Sequence, residues 1–125
     1  MSLANTTPVS VLLVWLSNQR LDATVEKKAQ GQLEAALTES GYSFVREKRL
    51  SDSDIVDFYL TIDGCNVALE LKASAQRMRI YRQLERYAKH ESVDAVVLLT
   101  ATAMQLPASI EGKPAFVSSM GAGWL

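Results

Sequence analysis

The sequence predicts a single α/β domain in which a central mixed β-sheet is flanked by helices, with the core order α-β-β-β-α-β. Three observations predict it. Residues 55–62, "IVDFYLTI", alternate apolar and polar positions and run into Asp63-Gly64, a strong two-residue hairpin signal, so residues 67–72 form the returning strand. Residues 75–90 carry the periodicity of an amphipathic helix. Residues 95–99, "AVVLL", are apolar throughout, as in a strand covered on both faces. Strand 67–72, helix 75–90 and strand 95–99 thus make a β-α-β unit inside one sheet.

The elements follow in chain order. Residues 1–8 are expected to form a flexible tail, and 9–125 the single domain. The run "VSVLLVWL" (9–16) is far too short to span a bilayer. No Lys or Arg precedes it, as a signal peptide would require, so it reads as a buried or interface segment. Thr7-Pro8 offers a helix start. Residues 23–39 read as a helix with Asp22 as its cap and Gly41 beyond its end. Residues 42–50 alternate weakly and give a first strand; Val56, Phe58, Leu60 and Ile62 form one face of the next. Residues 114–119 supply a last strand.

Bulk properties bound the function. The chain has 125 residues, 48% hydrophobic and 22% charged, with a formal net charge of -1. That suits a soluble domain with one core and gives no overall polycation signal. Cys65 is the only cysteine, which fits a reducing, cytoplasmic setting. It reads as a small core hydrophobe. His90 is the only histidine, so histidine-based triads and multi-histidine zinc sites are excluded. It is expected to lie exposed at a helix end. "SDSD" (51–54) matches only a fragment of a calcium loop. "GAG" (121–123) has no room for a helix after it to cradle a dinucleotide. Trp15 and Trp124 read as packing or interface residues.

The charged residues of the hairpin carry the chemistry. With a two-residue turn, Ile62 faces Cys65, Leu60 faces Val67 and Phe58 faces Leu69. Asp57 then lies opposite Glu70, a repulsive pair that partial burial aggravates. A divalent cation resolves it, and Mg²⁺ favours a site with one or two carboxylates and several waters. Lys72 shares the face of Glu70, within reach of a phosphate or a metal-activated water. A four-residue loop would instead pair Asp57 with Lys72 as an ordinary salt bridge. The two registers stay open at this level.

Asp57 followed by Glu70-Leu71-Lys72 resembles the D…(D/E)-x-K signature of the PD-(D/E)xK nuclease superfamily. Gln83 and Tyr87, in "QLERY", resemble the Q-x-x-x-Y helix motif of its RecB-like and phage-exonuclease branches. The resemblance covers about residues 23–118, with Val56 standing where the signature has proline. It implies a restriction-endonuclease-like fold and a Mg²⁺- or Mn²⁺-dependent deoxyribonuclease, of the kind found in phage replication or DNA repair. Asp57, Glu70 and the Leu71 carbonyl would be metal ligands. Lys72 would orient the attacking water or stabilise charge on the phosphate, and Gln83 and Tyr87 would fix the substrate or Lys72. An acid from the first helix often completes such sites, and Glu26 and Glu34 are the candidates. At about 100° per residue, Val25, Ala29, Leu33, Ala36 and Leu37 span roughly 120°. Glu26 falls inside that arc and Glu34 roughly 60° outside it, so Glu26 is expected at the site as a catalytic or metal-ligating acid.

Residues 72–90 hold six basic side chains against one acidic. On a wheel Ile80, Tyr81, Leu84, Tyr87 and Ala88 face one way, and Arg79, Arg82, Arg86 and Lys89 the other. A solvated face usually mixes signs. This one reads as a phosphate-tracking stripe, with DNA as the expected partner and RNA left open. Two alternatives remain: a catalytically inactive nucleic-acid-binding module, and an assembly subunit that uses 9–16 as its interface. A chain this small is also compatible with a homo-oligomer.

Overall fold

In a computed structural model of the chain, which describes residues 7–74 and 76–120, Asp63 and Gly64 sit at φ 49° and 79°. Two consecutive positive φ values mark a type I′ turn, whose twist matches that of antiparallel strands. The turn joins β2 (Ile55–Ile62) to β3 (Cys65–Lys72). It sets the register at Ile62↔Cys65, Leu60↔Val67 and Phe58↔Leu69, which excludes the four-residue-loop alternative.

Around the hairpin the chain runs α1 (Thr7–Ser17), α2 (Glu26–Glu39), β1 (Ser43–Arg49), then β2 and β3, then α3 (Arg77–Ala88), β4 (Ala95–Thr100), β5 (Ser109–Ile110) and β6 (Lys113–Ser119). The strands form one mixed sheet in the order β1-β2-β3-β4-β6-β5. β1, β2 and β3 are antiparallel neighbours; β3, β4 and β6 are parallel. β5 is a two-residue edge strand that the sequence pattern did not signal. No helix among the described residues is long and apolar enough to cross a membrane.

Alternation along β3 and β4 builds two cores. Val67, Leu69, Leu71, Ala95, Val97 and Leu99 face α1 and α2. Ala68, Val96 and Leu98 face Ile80, Leu84, Tyr87 and Ala88 of α3. β4, between two parallel neighbours, is buried at all six positions.

Helix α1 forms despite its β-branched residues because Val9, Leu12 and Leu16 recur at helical spacing and are buried. It begins at Thr7, so Thr7 and Pro8 belong to the folded domain and not to the expected tail. The rest of that tail, Ala75, the "GAG" stretch and Trp124 lie outside the described residues. α2 starts three residues later than expected, with Val25 at the cap position. Asp22 does not cap it: its carboxylate accepts the Thr24 N–H and hydroxyl in a local turn. The other end follows expectation. Gly41 is at φ 80°, Tyr42 N–H bonds the Leu37 carbonyl at 3.0 Å, and Gly41 N–H bonds Thr38 at 3.1 Å, a Schellman ending.

One face assignment changes. Phe58 and Leu60 pack in the α1/α2 core, but Val56 packs against α3. The β1–β2 ladder skips Glu47 and Asp57 between Arg46↔Phe58 and Lys48↔Val56, and Glu47 is at φ 48°. That left-handed residue breaks the pleat, so period-two alternation does not carry through Asp57.

The turn yields a prediction. A Cβ at Gly64 meets no atom within 4 Å, so its φ of 79° is what resists substitution there. Gly64→Val should destabilise the fold by about 1–2 kcal/mol, seen as a lower urea midpoint at unchanged slope.

Candidate active site

The site exists because β2 leaves β3 early. β2 stays paired with β1 down to Ile55, but its ladder to β3 ends at Phe58↔Leu69. Beyond that point the N–H groups of Leu71, in β3, and Ala73, just past its end, have no strand partner on this side, and unpaired backbone donors are costly away from water. Two carboxylates replace the missing strand. Asp57 Oδ2 accepts Leu71 N–H at 2.9 Å, and Glu26 Oε1 accepts Ala73 N–H at 3.0 Å. In return Asp57 N–H donates to Glu70 Oε1 at 3.2 Å. On the other side of Asp57, Arg46 Nε donates to its carbonyl at 3.3 Å, where the β1–β2 ladder skips Glu47 and Asp57.

These bonds draw Glu26 from the first turn of α2, Asp57 from β2, and Glu70 and Lys72 from β3 to one end of the sheet. Glu70 is only 2% exposed. Its Oε2 meets Lys72 Nζ at 3.2 Å, and its Oε1 lies 3.2 Å from the Tyr87 hydroxyl. That hydroxyl accepts from Gln83 Nε2 at 2.8 Å and faces the Ile55 carbonyl at 2.8 Å. Its single proton serves either Ile55 or Glu70. The Lys72 carbonyl accepts from the Thr100 hydroxyl at 2.7 Å, which pins the end of β3 to β4.

The electrostatics follow from burial and crowding. Burial first, then the charge of Asp57, pushes Glu70 up to about 7. Burial also raises Asp57, against the opposing pull of the Leu71 N–H and Lys72. For Lys72, burial works downward, but the carboxylates of Glu70, Asp57 and Glu26 outweigh it and hold the ammonium above the ordinary lysine range. Burial and then the nearby carboxylates raise the Tyr87 phenol. The like-charge problem of Asp57 and Glu70 is thus met by Lys72, by exchanged backbone N–H groups and by Glu70's affinity for a proton. Among the described residues, no three His, Cys, Asp or Glu side chains stand grouped as a ready-made metal cage.

The structure sorts the expected residues. Glu26, Asp57, Glu70 and Lys72 converge, and Leu71 contributes its backbone N–H. Glu34 is elsewhere, paired with Arg46 Nη1 at 2.8 Å on the surface. Tyr87 is 1% exposed and its hydroxyl lies against Glu70, so it presents no face to a nucleic acid; Gln83 is half-buried and donates to that hydroxyl. Arg79 and Arg82 are exposed on α3. Arg86 is turned onto Asp54 Oδ1 at 3.0 Å. His90 is not exposed at the helix end as expected but half-buried, with Nε2 2.9 Å from Asp54 Oδ2. Asp54 and the Ile55 carbonyl were not foreseen. The available signal was an acid directly before strand β2 and the i−1, i+3 placement of Arg86 and His90 around Tyr87. A cavity of about 320 Å³ opens at the hairpin end, beside Pro8, Cys65, Asp94 and Lys113. It lies at the opposite end of β3 from the carboxylates.

Because Glu70 titrates near 7 in the fold and near 4.5 when unfolded, the folded chain binds the extra proton between those values. Its contribution to stability is therefore full below about pH 4.5 and is lost as pH rises through 7. The loss is on the order of 3 kcal/mol, at 1.36 kcal/mol per unit. Urea denaturation should show the wild type losing stability relative to Glu70→Gln between pH 5 and pH 8.

Comparison with known proteins adds no further constraint: no protein-family model, no curated protein and no solved structure matches the chain. The chemistry of the site rests on the residues themselves.

Proposed function

We propose that the chain is a metal-dependent nuclease of the PD-(D/E)xK kind, hydrolysing phosphodiester bonds in DNA on a restriction-endonuclease-like sheet. The observation that carries this reading is the meeting of Asp57, Glu70, Glu26 and Lys72 where β2 and β3 part. The donor set fits Mg²⁺ or Mn²⁺: it is all oxygen and carboxylate, and the burial and neighbouring charge that push Glu70 up to about 7 favour added positive charge. Asp57, Glu70 and Glu26 would hold the ion, with the Leu71 carbonyl as a further ligand. When bound, such an ion supplies Lewis acidity at a phosphoryl oxygen and a water of lowered pKa.

The chain's own groups do the rest. Asp57 and Glu26 each use one oxygen to hold β3 in place, so their position is set by backbone. Tyr87 holds Glu70 from behind. The Lys72 ammonium, now on Glu70 Oε2, turns to the scissile phosphate and opposes the charge that builds there. The exposed Arg79 and Arg82 bind the flanking phosphates.

A second reading has its own observation. Lys72 and Tyr87 already occupy both oxygens of Glu70, a closed arrangement that suits a nucleic-acid-binding module without chemistry. Calorimetry with Mn²⁺ separates the two: a binding module gives no heat at this site, and the nuclease loses its heat in Asp57→Ala.

Labelled linear, circular and branched DNA, incubated with and without Mg²⁺ or Mn²⁺, tests the activity. Cleavage should require the ion. Lys72→Ala should reduce it by about 100- to 1,000-fold with an unchanged circular-dichroism spectrum; full activity in that variant removes Lys72 from the mechanism. Replacing Arg79 and Arg82 together by Ala should weaken DNA binding across sequences. It should also lower the slope of log affinity against log salt by about 2.

A further inference from the structure

We infer that Asp54 is a positioning residue for this site, acting through Arg86, His90 and the start of β2 to fix Tyr87 against Glu70. The inference rests on the nuclease reading for its catalytic consequence, but not for its geometry. Asp54 is 6% exposed, and a buried carboxylate is costly unless its oxygens are filled. Both are filled: Oδ1 by Arg86 Nε of α3 at 3.0 Å, and Oδ2 by His90 Nε2, just beyond the end of α3, at 2.9 Å. Its backbone is held as well. Asp54 C=O accepts Leu50 N–H at 2.8 Å, and Asp54 N–H bonds Ser51 Oγ at 3.2 Å.

The latch therefore clamps the loop before β2 to Arg86 in the last turn of α3 and to His90 just past its end, one on either side of Tyr87. The next residue, Ile55, receives the Tyr87 hydroxyl on its carbonyl. That hydroxyl also reaches Glu70, and two residues further along β2 Asp57 exchanges hydrogen bonds with β3. β2 has no ladder to β3 at this end, so the gap between β2 and α3 is set here by side chains. Releasing Asp54 lets the start of β2 swing on its β1 pairing and carries the Ile55 carbonyl away from Tyr87. Asp57 and Glu70 then lose their common frame. This gives a use to "SDSD" and to the chain's single histidine, neither of which the metal-site residues need.

The test uses the full chain with two variants, Asp54→Asn and His90→Ala, and with His90→Gln, whose amide restores an N–H donor. Amide hydrogen exchange followed by NMR is read at Asp57 and Leu71, and at Val67 near the turn as a control. Cleavage of labelled linear DNA with Mn²⁺ gives kcat and KM. Both variants should speed exchange at Asp57 and Leu71 at least tenfold while Val67 changes less than twofold. They should lower kcat at least tenfold with KM within threefold, and His90→Gln should stay near wild type on both measures. Unchanged exchange at Asp57 and Leu71, or equal acceleration at Val67, overturns the positioning role. A His90→Gln as impaired as His90→Ala also overturns it. If the wild type does not cleave DNA, the nuclease reading fails and the exchange data alone decide the latch. If it cleaves and the variants lose only affinity for DNA, the latch fails and the nuclease reading stands.

Discussion

The parting of β2 from β3 after Phe58 is the constraint on which the site depends. A sheet that kept its ladder to the end would have satisfied Leu71 and Ala73 with backbone carbonyls and left no need for acids there. Because β2 stays with β1 instead, those two N–H groups must find other acceptors. Carboxylates from β2 and α2 supply them. Charge-assisted bonds of this kind are among the stronger ones available, so the acids are fixed by the same bonds that complete the fold. The cluster is thus part of the sheet's own hydrogen bonding and not a set of side chains added to its surface.

That origin explains the electrostatic character of the site. Carboxylates placed to cap strand ends cannot retreat into water when they meet one another. Glu70 carries most of the burden, since it is the most buried and faces Asp57. Lys72 offsets part of it, and Tyr87 and the Asp57 N–H offer the remaining hydrogen bonds. None of these removes the cost of charging Glu70. The pocket therefore favours anything that brings positive charge to it: a proton, Lys72 or, under the nuclease reading, a divalent ion. The proton and the ion compete for the same oxygens, which ties any metal affinity of this site to pH.

What could be read from the sequence was what local chemistry decides. Asp63-Gly64 marked the hairpin and made the Phe58↔Leu69 register, with Asp57 near Glu70, one of two legible registers; the structure's type I′ turn decides between them. Glu26 was legible from helical geometry, because an acid inside an apolar arc must be answered by a partner. The splay itself was not, since it is a choice between β1 and β3 as neighbours and depends on the whole sheet. The flip of Val56 was hidden because nothing in "REKR" signals a left-handed Glu47. Asp54 and His90 are 36 positions apart in the chain and meet only once α3 has packed on the sheet. Helix α1 was left open because Val9, Val11 and Val14 favour strands, while Leu12 and Leu16 obtain a partner only from tertiary packing.

Helix α3 binds these levels together, and its sequence shows how little freedom remains. Ile80, Leu84, Tyr87 and Ala88 must face Ala68, Val96 and Leu98 to close the second core. That packing fixes the rotation of the helix about its axis and, with it, the direction of Arg79 and Arg82 on the far side. Tyr87 must also reach past the apolar layer to Glu70. A phenol does this where phenylalanine would not, because its ring belongs to the core while its hydroxyl is a polar tip that can be satisfied there. Gln83, one turn earlier, fills the acceptor side of that hydroxyl. Arg86 and His90, on either side of Tyr87, fill the carboxylate of Asp54. A change that rotated the helix to re-aim its basic face would pull Tyr87 from Glu70 and open the latch at once. The basic stripe, the buried tyrosine and the carboxylates therefore share one geometric degree of freedom, and the apolar core sets it.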